Sequence, residues 1–191
     1  DLGWGKDSVV AMAKHFVGDA AMEGGREGHA DGGEYSMFAV FPGNNMQEHL
    51  SVFDSALNIK ESLTGGAKAI MTNYNISMAT YGPLGEYADS VFSSYKLQTL
   101  LRKQLGFNGI VCSDWGATVA FARMFRDRTP IERNLIALRA GLQMFGGFFD
   151  FGDTSSNTLS GAYKLGLAAY SLEKDGSERI ENLFRDAARK S

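Results

Sequence analysis

Residues 109–116 read Gly-Ile-Val-Cys-Ser-Asp-Trp-Gly, and this stretch decides the class of fold. The apolar run Ile110–Cys112 lies between two glycines, a pattern typical of a short buried strand that ends abruptly. Asp114 therefore follows the strand, at the start of a loop. In parallel α/β proteins, ligands bind at this carboxyl end of the strands. A carboxylate beside the flat ring of Trp115 suits a carbohydrate; the alternative is an Asp that caps the next helix, with a core Trp behind it.

Composition excludes several classes of function. The chain has 191 residues, of which 44% are hydrophobic and 21% charged, and its net charge is −3. These values are ordinary for a globular domain with a substantial core, and they give no reason to expect nucleic acid or an anionic membrane as partner. No apolar stretch reaches the ~20 residues that span a bilayer. The single cysteine, Cys112, excludes an internal disulfide and leaves the compartment open.

Strand and helix patterns alternate along the chain, which predicts α/β architecture with parallel strands. The strand candidates are 8–16, 67–74, 109–114 and 142–145, and the helix candidates are 46–62, 90–105, 130–140, 157–171 and 177–189. Ser90 and Ser177 are predicted N-caps, Gly106 is a stop signal, and Pro130 opens a helix. Residues 18–33 are too glycine-rich for a simple turn and predict a functional loop. Four strands with polar ends fit an open sheet or about half of a (β/α)8 barrel.

Polar side chains end the first two predicted strands. Lys14 and His15 could donate hydrogen bonds to sugar hydroxyls, or they could be a solvated lysine and a core histidine. The hydroxyl of Tyr74 could hydrogen-bond a catalytic carboxylate, or the ring could pack within a barrel. In the glycine-rich loop, Arg26 could orient a ligand or pin the loop.

Three other kinds of site are disfavoured. The spacing of His15, His29, Asp19 and Glu27 matches no established pattern of metal ligands. Neither the nucleotide glycine fingerprint nor a phosphate-binding Gly-Lys-Ser/Thr motif occurs. Ser113 has no His and Asp partners at a spacing that would make it a hydrolase nucleophile. We therefore expect no metal and no cofactor.

Several stretches taken together resemble glycoside hydrolase family 3. They are 14–18 (Lys-His-Phe-Val-Gly), 71–75 (Met-Thr-Asn-Tyr-Asn), 101–102, 105–109 and 111–116, in the family's order and spacing. Residues 24–50 are similar to a longer loop of some bacterial members, and the resemblance continues through 140–142 and the final helix. It implies that residues 1–191 are part of the catalytic (β/α)8 barrel domain, roughly its C-terminal half.

The resemblance also implies an activity. The expected enzyme is a retaining, β-glucosidase-like exo-glycosidase that hydrolyses the non-reducing terminal sugar of β-linked oligosaccharides. Asp114 corresponds to the nucleophile that forms a glycosyl-enzyme, and Lys14 and His15 correspond to the pair that holds the hydroxyls of the terminal sugar. The other expected substrate-binding residues are Tyr74, Trp115, Arg26 and Met71.

The chain departs from the family's pattern in several places. Members have earlier barrel strands that supply an Asp and an Arg to the sugar, and many have a following α/β sandwich domain that supplies the general acid. Neither is found in residues 1–191. The loop also lacks the His-Asp pair of the N-acetylhexosaminidases, which disfavours that activity. Gln143 stands where members have an Asp before the Met, which puts the sugar or loop contacts there in question.

Half a barrel would have open strand edges and an exposed apolar face. We therefore predict that these residues belong to a longer polypeptide, or to an assembly with a complementary chain, and are inactive or insoluble alone. A non-catalytic glycan-binding or assembly protein that keeps the barrel is the alternative, and an unrelated open α/β protein is a third. The sugar, the linkage and the compartment stay open, although polysaccharide breakdown is compatible with a periplasmic or secreted setting.

Overall fold

The computed structural model describes residues 9–19, 21–26, 38–58, 66–77, 88–119 and 121–146, with positions 181, 182, 185, 186 and 189. The five isolated positions are helical, as predicted for 177–189. The predicted helix 157–171, the cap Ser177 and most of the glycine-rich loop, with Glu27 and His29, lie outside the described residues.

In chain order, one or two strands precede each of the described helices. The strands are β1 (Met12–Phe16), β2 (Phe38–Ala39), β3 (Ala69–Thr72), β4 (Ile76–Ser77) and β5 (Ile110–Cys112), and the helices are α1 (Met46–Leu57), α2 (Tyr95–Gln104) and α3 (Pro130–Ala140). Short 3-10 turns lie at Glu23–Gly25, Pro42–Asn44 and Ser90–Phe92. None of the helices within the described ranges is long and apolar enough to cross a membrane.

The main sheet is parallel, with the strand order β1-β3-β5. Ala69 of β3 pairs with Met12 on one side and with Ile110 on the other. β2 and β4 form a separate parallel pair. The predicted parallel α/β arrangement is therefore confirmed, and its carboxyl ends lie on one edge of the sheet.

The predicted strand 142–145 appears as a parallel bridge beside β5. Met144 pairs with Cys112, and the amides of Gln143 and Met144 both donate to the carbonyl of Val111 at 3.0 Å. The side chain of Gln143 strengthens this junction, because its oxygen accepts from the guanidinium of Arg102 at 2.9 Å and from the amide of Val111 at 2.8 Å. Gln143, which departs from the family's pattern, therefore links α2, β5 and the strand segment at Met144.

Two helices follow their sequence signals closely. α3 begins at Pro130 after a reciprocal capping box, in which the Thr129 hydroxyl accepts from the amide of Glu132 and the Glu132 carboxylate accepts from the amide of Thr129. Gly141, with φ of 114°, ends it. α1 buries Leu50 but ends at Leu57, whereas the predicted helix ran to 62; residues 59–62 lie outside the described ranges.

The predicted helix 90–105 is wrong at its start. The chain makes a 3-10 turn at Ser90–Phe92, and α2, with wide π-type hydrogen bonding, begins only at Tyr95. Ser90 is not its N-cap, because the Ser90 hydroxyl is fully buried in a polar cluster with Asn73, Asn75 and Lys96. Gly106, with φ of 66°, follows the end of α2 as predicted.

The apolar core lies between the sheet and the helices. Its fully buried side chains include Phe16, Leu50, Ile70, Leu97, Leu101 and Val111. The alternation of apolar and polar residues on each helix explains which face packs there. The core supports the strands up to their carboxyl ends, where the polar residues begin.

Candidate active site

A histidine lies between two carboxylates at the ends of the strands. The Nε2 atom of His15 is 3.2 Å from Oδ2 of Asp114, and its Nδ1 atom is 3.0 Å from Oδ2 of Asp19. Asp114 follows β5 and is only 6% exposed. A carboxylate on one ring nitrogen fixes the orientation of an imidazole and the nitrogen that it presents on the other side. The arrangement therefore directs the Nε2 edge of His15 toward Asp114.

The Asp114 carboxylate is also held by its own loop. Its Oδ1 atom accepts a 2.7 Å hydrogen bond from the backbone amide of Trp115. The carboxylate is thus held through Oδ1 by the Trp115 amide, and its Oδ2 atom faces the imidazole of His15. The thiol of nearby Cys112 is buried, as the sequence predicts, and burial, with the Asp114 charge, raises its pKa to about 11. At neutral pH the thiol is protonated and is a poor nucleophile.

Tyr74 holds the backbone of Trp115, the residue that follows Asp114. Its hydroxyl donates a 2.7 Å hydrogen bond to the carbonyl of Trp115, and its ring, 5% exposed, packs on Phe121 with centroids 4.4 Å apart. The sequence predicts for Tyr74 either a hydrogen bond to a catalytic carboxylate or a packing role. The structure gives the ring a packing role and places the hydroxyl on the residue next to the carboxylate.

Trp115 presents its indole to solvent. The residue is 57% exposed, although its backbone is held from both sides. Gly146 lies against this ring, and a Cβ there would overlap the indole and the carbonyl of Ser113. The amide of Gly146 donates to the Ser113 hydroxyl at 2.8 Å, so that hydroxyl supports the loop. An exposed indole with a fixed backbone is a platform on which an apolar sugar face could stack.

A cleft of about 560 Å³ opens between the end of β1 and α1. Its lining residues are Lys14, His15, Gly18, Asp19, Gly25, Arg26, His49, Val52 and Phe53. The cleft thus brings together three of the predicted substrate-binding residues, which are Lys14, His15 and Arg26. The other predicted residues, Asp114, Tyr74, Trp115 and Met71, do not line it, and His15 is the link between the two groups.

Met71 lies inside the sheet. It pairs with Cys112 in the ladder between β3 and β5 and is 7% exposed. It is next to the polar strand end but has little surface to offer a ligand. Its predicted contact with substrate therefore has less support than those of the residues around the cleft.

Two buried charged residues near the site were missed by the sequence analysis. Lys96 is fully buried beneath the ends of β1 and β3. Asp89 accepts hydrogen bonds from the amides of Arg123 and Met124, at 3.0 and 2.9 Å, and burial raises its pKa to about 6 against the effect of those bonds. Their partners come from distant segments, so no local pattern could have indicated them.

The described part of the chain contains no group of three or more His, Cys, Asp and Glu side chains placed to hold a metal ion. Two of the four residues considered for such a site, Glu27 and His29, lie outside it. The other two, His15 and Asp19, contact each other through Nδ1 and Oδ2. In this contact the Asp19 carboxylate orients the imidazole ring of His15.

An acid, a histidine and a tyrosine at the carboxyl ends of parallel strands define an α/β protein with a candidate active site at that edge of its sheet. The chain belongs to glycosyl hydrolase family 3, since the model of the family's N-terminal domain matches residues 3–145.

Curated relatives include several β-glucosidases. The chain is 35% identical over 155 residues to the probable beta-glucosidase C of Aspergillus flavus, covering 75% of this chain and 22% of that protein. It is 30% identical over 169 residues to the periplasmic beta-glucosidase/beta-xylosidase of Dickeya chrysanthemi, covering 78% and 24%. The chain therefore spans about a quarter or less of the length of these relatives.

Solved structures share the fold. The β-glucosidase from Listeria innocua superposes with a TM-score of 0.59 at 21% identity, over 93% of this chain and 21% of that one. A β-glucosidase involved in saponin metabolism from intestinal bacteria superposes with a TM-score of 0.62 at 17% identity, over 97% and 21%. At these identities the similarity shows the fold alone.

Proposed function

We propose that this chain is part of a retaining exo-β-glycosidase, β-glucosidase-like, in which Asp114 is the nucleophile. The observation that carries the proposal is the restraint on the Asp114 carboxylate, whose Oδ1 accepts from the Trp115 amide at 2.7 Å while its Oδ2 faces His15 Nε2 at 3.2 Å. Such a restraint positions an attacking oxygen without further reorganisation, which lowers the entropic part of the barrier. The family and its β-glucosidase relatives support the same activity.

In the proposed reaction, an oxygen of Asp114 attacks the anomeric carbon of the terminal sugar as the bond to the leaving group breaks. The product is a glycosyl ester on Asp114, and water then displaces the carboxylate from the same carbon, so that the configuration is retained. A second carboxylic acid ~5–5.5 Å from the nucleophile protonates the leaving group in enzymes of this type. By the resemblance, we expect that acid from another part of the protein.

The other proposed substrate contacts surround this carbon. Lys14 and His15 would hold sugar hydroxyls, Arg26 would act from the far side of the cleft, and the Trp115 indole would stack on the sugar. Met71 would contribute at most a small contact. The parallel sheet is proposed to be one part of a (β/α)8 barrel, with the carboxyl ends of its strands around the substrate.

A trapping experiment tests the nucleophile. The whole protein is incubated with an activated 2-deoxy-2-fluoro β-glucoside, which slows release of the glycosyl-enzyme, and the labelled peptide is located by mass spectrometry. We expect the label on Asp114, no label in Asp114→Asn, and a loss of aryl β-glucosidase activity by roughly 10⁴-fold in that variant. A label on another carboxylate, or hydrolysis retained in Asp114→Asn, contradicts the proposal.

A second candidate function has one observation in its favour. The cleft that holds Lys14, His15 and Arg26 is not lined by Asp114. A glycan-binding protein without turnover would need only the cleft and the exposed indole of Trp115. Saturable binding of β-linked oligosaccharides, without hydrolysis or labelling in the trapping experiment, would favour this function over the first.

A further inference from the structure

Lys96 places a cation directly behind the candidate active site. Its side chain is fully buried, and its ammonium donates to Asn75 Oδ1 at 2.8 Å, to Ser90 Oγ at 2.5 Å and to the Val17 carbonyl at 3.4 Å. Taking an ammonium out of water is costly unless its donors are paired. Three oxygens from three separate segments surround the Lys96 ammonium and fix its position.

Those segments are the ones that carry the site. Val17 lies two residues after His15 and two before Asp19, in the turn that ends β1. Asn75 follows Tyr74 at the end of β3. The ammonium therefore joins the turn that holds the His15–Asp19 pair to the strand end that holds the Tyr74 hydroxyl in place.

Charged groups face Lys96 from both sides. Asp19 and Asp89 both attract the ammonium and raise the pKa of Lys96, against the larger effect of burial. Asp19 in turn contacts His15, and Asp89 lies beside Arg123, whose charge acts on the same carboxylate. The lysine thus supplies a positive charge to two acids, one of which orients the histidine.

We propose that Lys96 is a positioning residue for the reaction: its ammonium holds the Val17 carbonyl and balances the charge of Asp19, and it thereby directs His15 toward Asp114. This inference rests on the proposed glycosidase function. Lys96 donates to the Val17 carbonyl, and Asp19, two residues further along the same turn, contacts the imidazole of His15, which lies 3.2 Å from the Asp114 carboxylate. Since Lys96 does not touch the reacting atoms, it acts only through these neighbours.

If Lys96 is a positioning residue, removal of its charge alone should change the reaction, whereas a packing residue would be replaced by any side chain of similar volume. A methionine would fill nearly the same volume, and the three oxygens would keep other partners, because Asn73 also donates to the Val17 carbonyl at 3.2 Å and the Ser90 hydroxyl also reaches Asn75. What the methionine removes is the charge. Burial lowers the pKa of Lys96 to about 7, so this charge also changes near neutral pH.

The test compares Lys96→Met, Lys96→Arg and Lys103→Met in the whole protein. Lys103 is an exposed lysine on the same helix and provides the matched control. With an aryl β-glycoside we expect kcat/KM to fall by roughly 10- to 100-fold in Lys96→Met, with an altered pH profile, because small misplacements at a site cost about this much. Lys96→Arg keeps a cation and should recover part of the loss, and Lys103→Met should match the wild type.

A lowered melting temperature in Lys96→Met, with kcat/KM and its pH profile unchanged, would reduce Lys96 to a packing residue and overturn the proposal. If Lys96→Met does not fold, Ser90→Ala decides, because it removes one acceptor and keeps the ammonium. We then expect a smaller fall of kcat/KM in the same direction, and an unchanged kcat/KM overturns the proposal.

A second readout does not depend on turnover. In protein labelled with ¹⁵N-histidine, the resonances of the His15 ring report its contacts with Asp19 and Asp114. We expect them to move in Lys96→Met and not in Lys103→Met, and unmoved resonances in both contradict positioning. If the wild type hydrolyses no glycoside, the proposed function fails, and the resonances still show whether Lys96 orients His15.

Discussion

His15 and Asp114 approach to 3.2 Å although one lies at the end of β1 and the other follows β5, two strands that do not pair with each other. β3 lies between them, and neighbouring strands are about 4.8 Å apart, so the two side chains meet across an intervening strand. Their distance therefore depends on the register of three strands together. A change that shifts any of these strand ends should be detected as a change in catalysis before it is detected as unfolding.

Asp19→Asn should lower kcat/KM by about 10- to 100-fold, because it removes the charge that orients His15 while keeping the size of the side chain. The measurement is steady-state kinetics on an aryl β-glycoside. Asp127→Asn is the matched control, since Asp127 is exposed and, within the described residues, forms an ion pair with its neighbour Arg128. Equal kinetics in the two variants would show that Asp19 has no part in orienting His15.

Tyr74→Phe should destabilise the fold by about 1–3 kcal/mol, because the partly buried carbonyl of Trp115 loses the hydroxyl that donates to it at 2.7 Å. Urea denaturation measures the loss, and an unchanged m-value would show that the unfolded state is not affected. We also expect kcat/KM to fall, since the backbone of Trp115, next to Asp114, is no longer held by the hydroxyl. A variant as stable as the wild type would mean that water replaces the hydroxyl.

The Lys96 ammonium predicts how stability changes with pH. Burial lowers its pKa from 10.5 to about 7. Between about pH 7 and 10.5 the folded protein therefore binds fewer protons than the unfolded chain, so the contribution of Lys96 to the free energy of unfolding rises with pH across this window and stays at its lower level below about pH 7. Urea denaturation at several pH values measures this slope.

Lys96→Met should flatten that slope, and Lys103→Met should keep it, because Lys103 is exposed. The difference between the two variants isolates the buried group from all other titrations. Parallel slopes in both variants would show that the proton on Lys96 is not linked to folding.

Gln143→Ala should destabilise the fold by about 1–3 kcal/mol, because Arg102 and the amide of Val111 both lose a partly buried acceptor. Gln143→Glu keeps the acceptor and adds a charge opposite Arg102, but it loses the 2.7 Å hydrogen bond from Nε2 to the Gly141 carbonyl, so it should retain only part of the stability. Gln104→Ala, an exposed glutamine on α2, is the control. Thermal unfolding of the three variants would contradict this role if Gln143→Ala matched Gln104→Ala.

The main sheet could be predicted from the sequence because each of its three strands carries its own signal, whereas the two-residue strands β2 and β4 were missed. The run Ile110–Cys112 between two glycines, and the polar residues after it, indicate a buried strand and its end without reference to the rest of the chain. α3 could be predicted as well, since Thr129, Pro130 and Glu132 lie next to one another. Local signals of this kind decide local structure, and the structure confirms them.

The site was only partly predictable because its contacts are long-range. Ser90 has the residue type of an N-cap, but its hydroxyl is buried with Asn75 and Lys96, so tertiary packing overrides the local preference. Lys96 has the charge of a surface residue, and nothing beside it in the chain indicates the three oxygens that surround it. Lys14 and His15 could be proposed as a pair, whereas the role of Asp19 depends on the turn that follows them.

The close contact between Gly146 and the Trp115 indole means that the residue at position 146 can influence which sugar stacks on the indole. A Cβ at position 146 would lie 2.3 Å from both the indole and the Ser113 carbonyl, so a larger residue there is expected to displace the indole or the loop that carries it. In the proposed glycosidase, a substitution at position 146 is therefore expected to change the sugar selectivity through the Trp115 indole, while the proposed nucleophile Asp114 stays where it is.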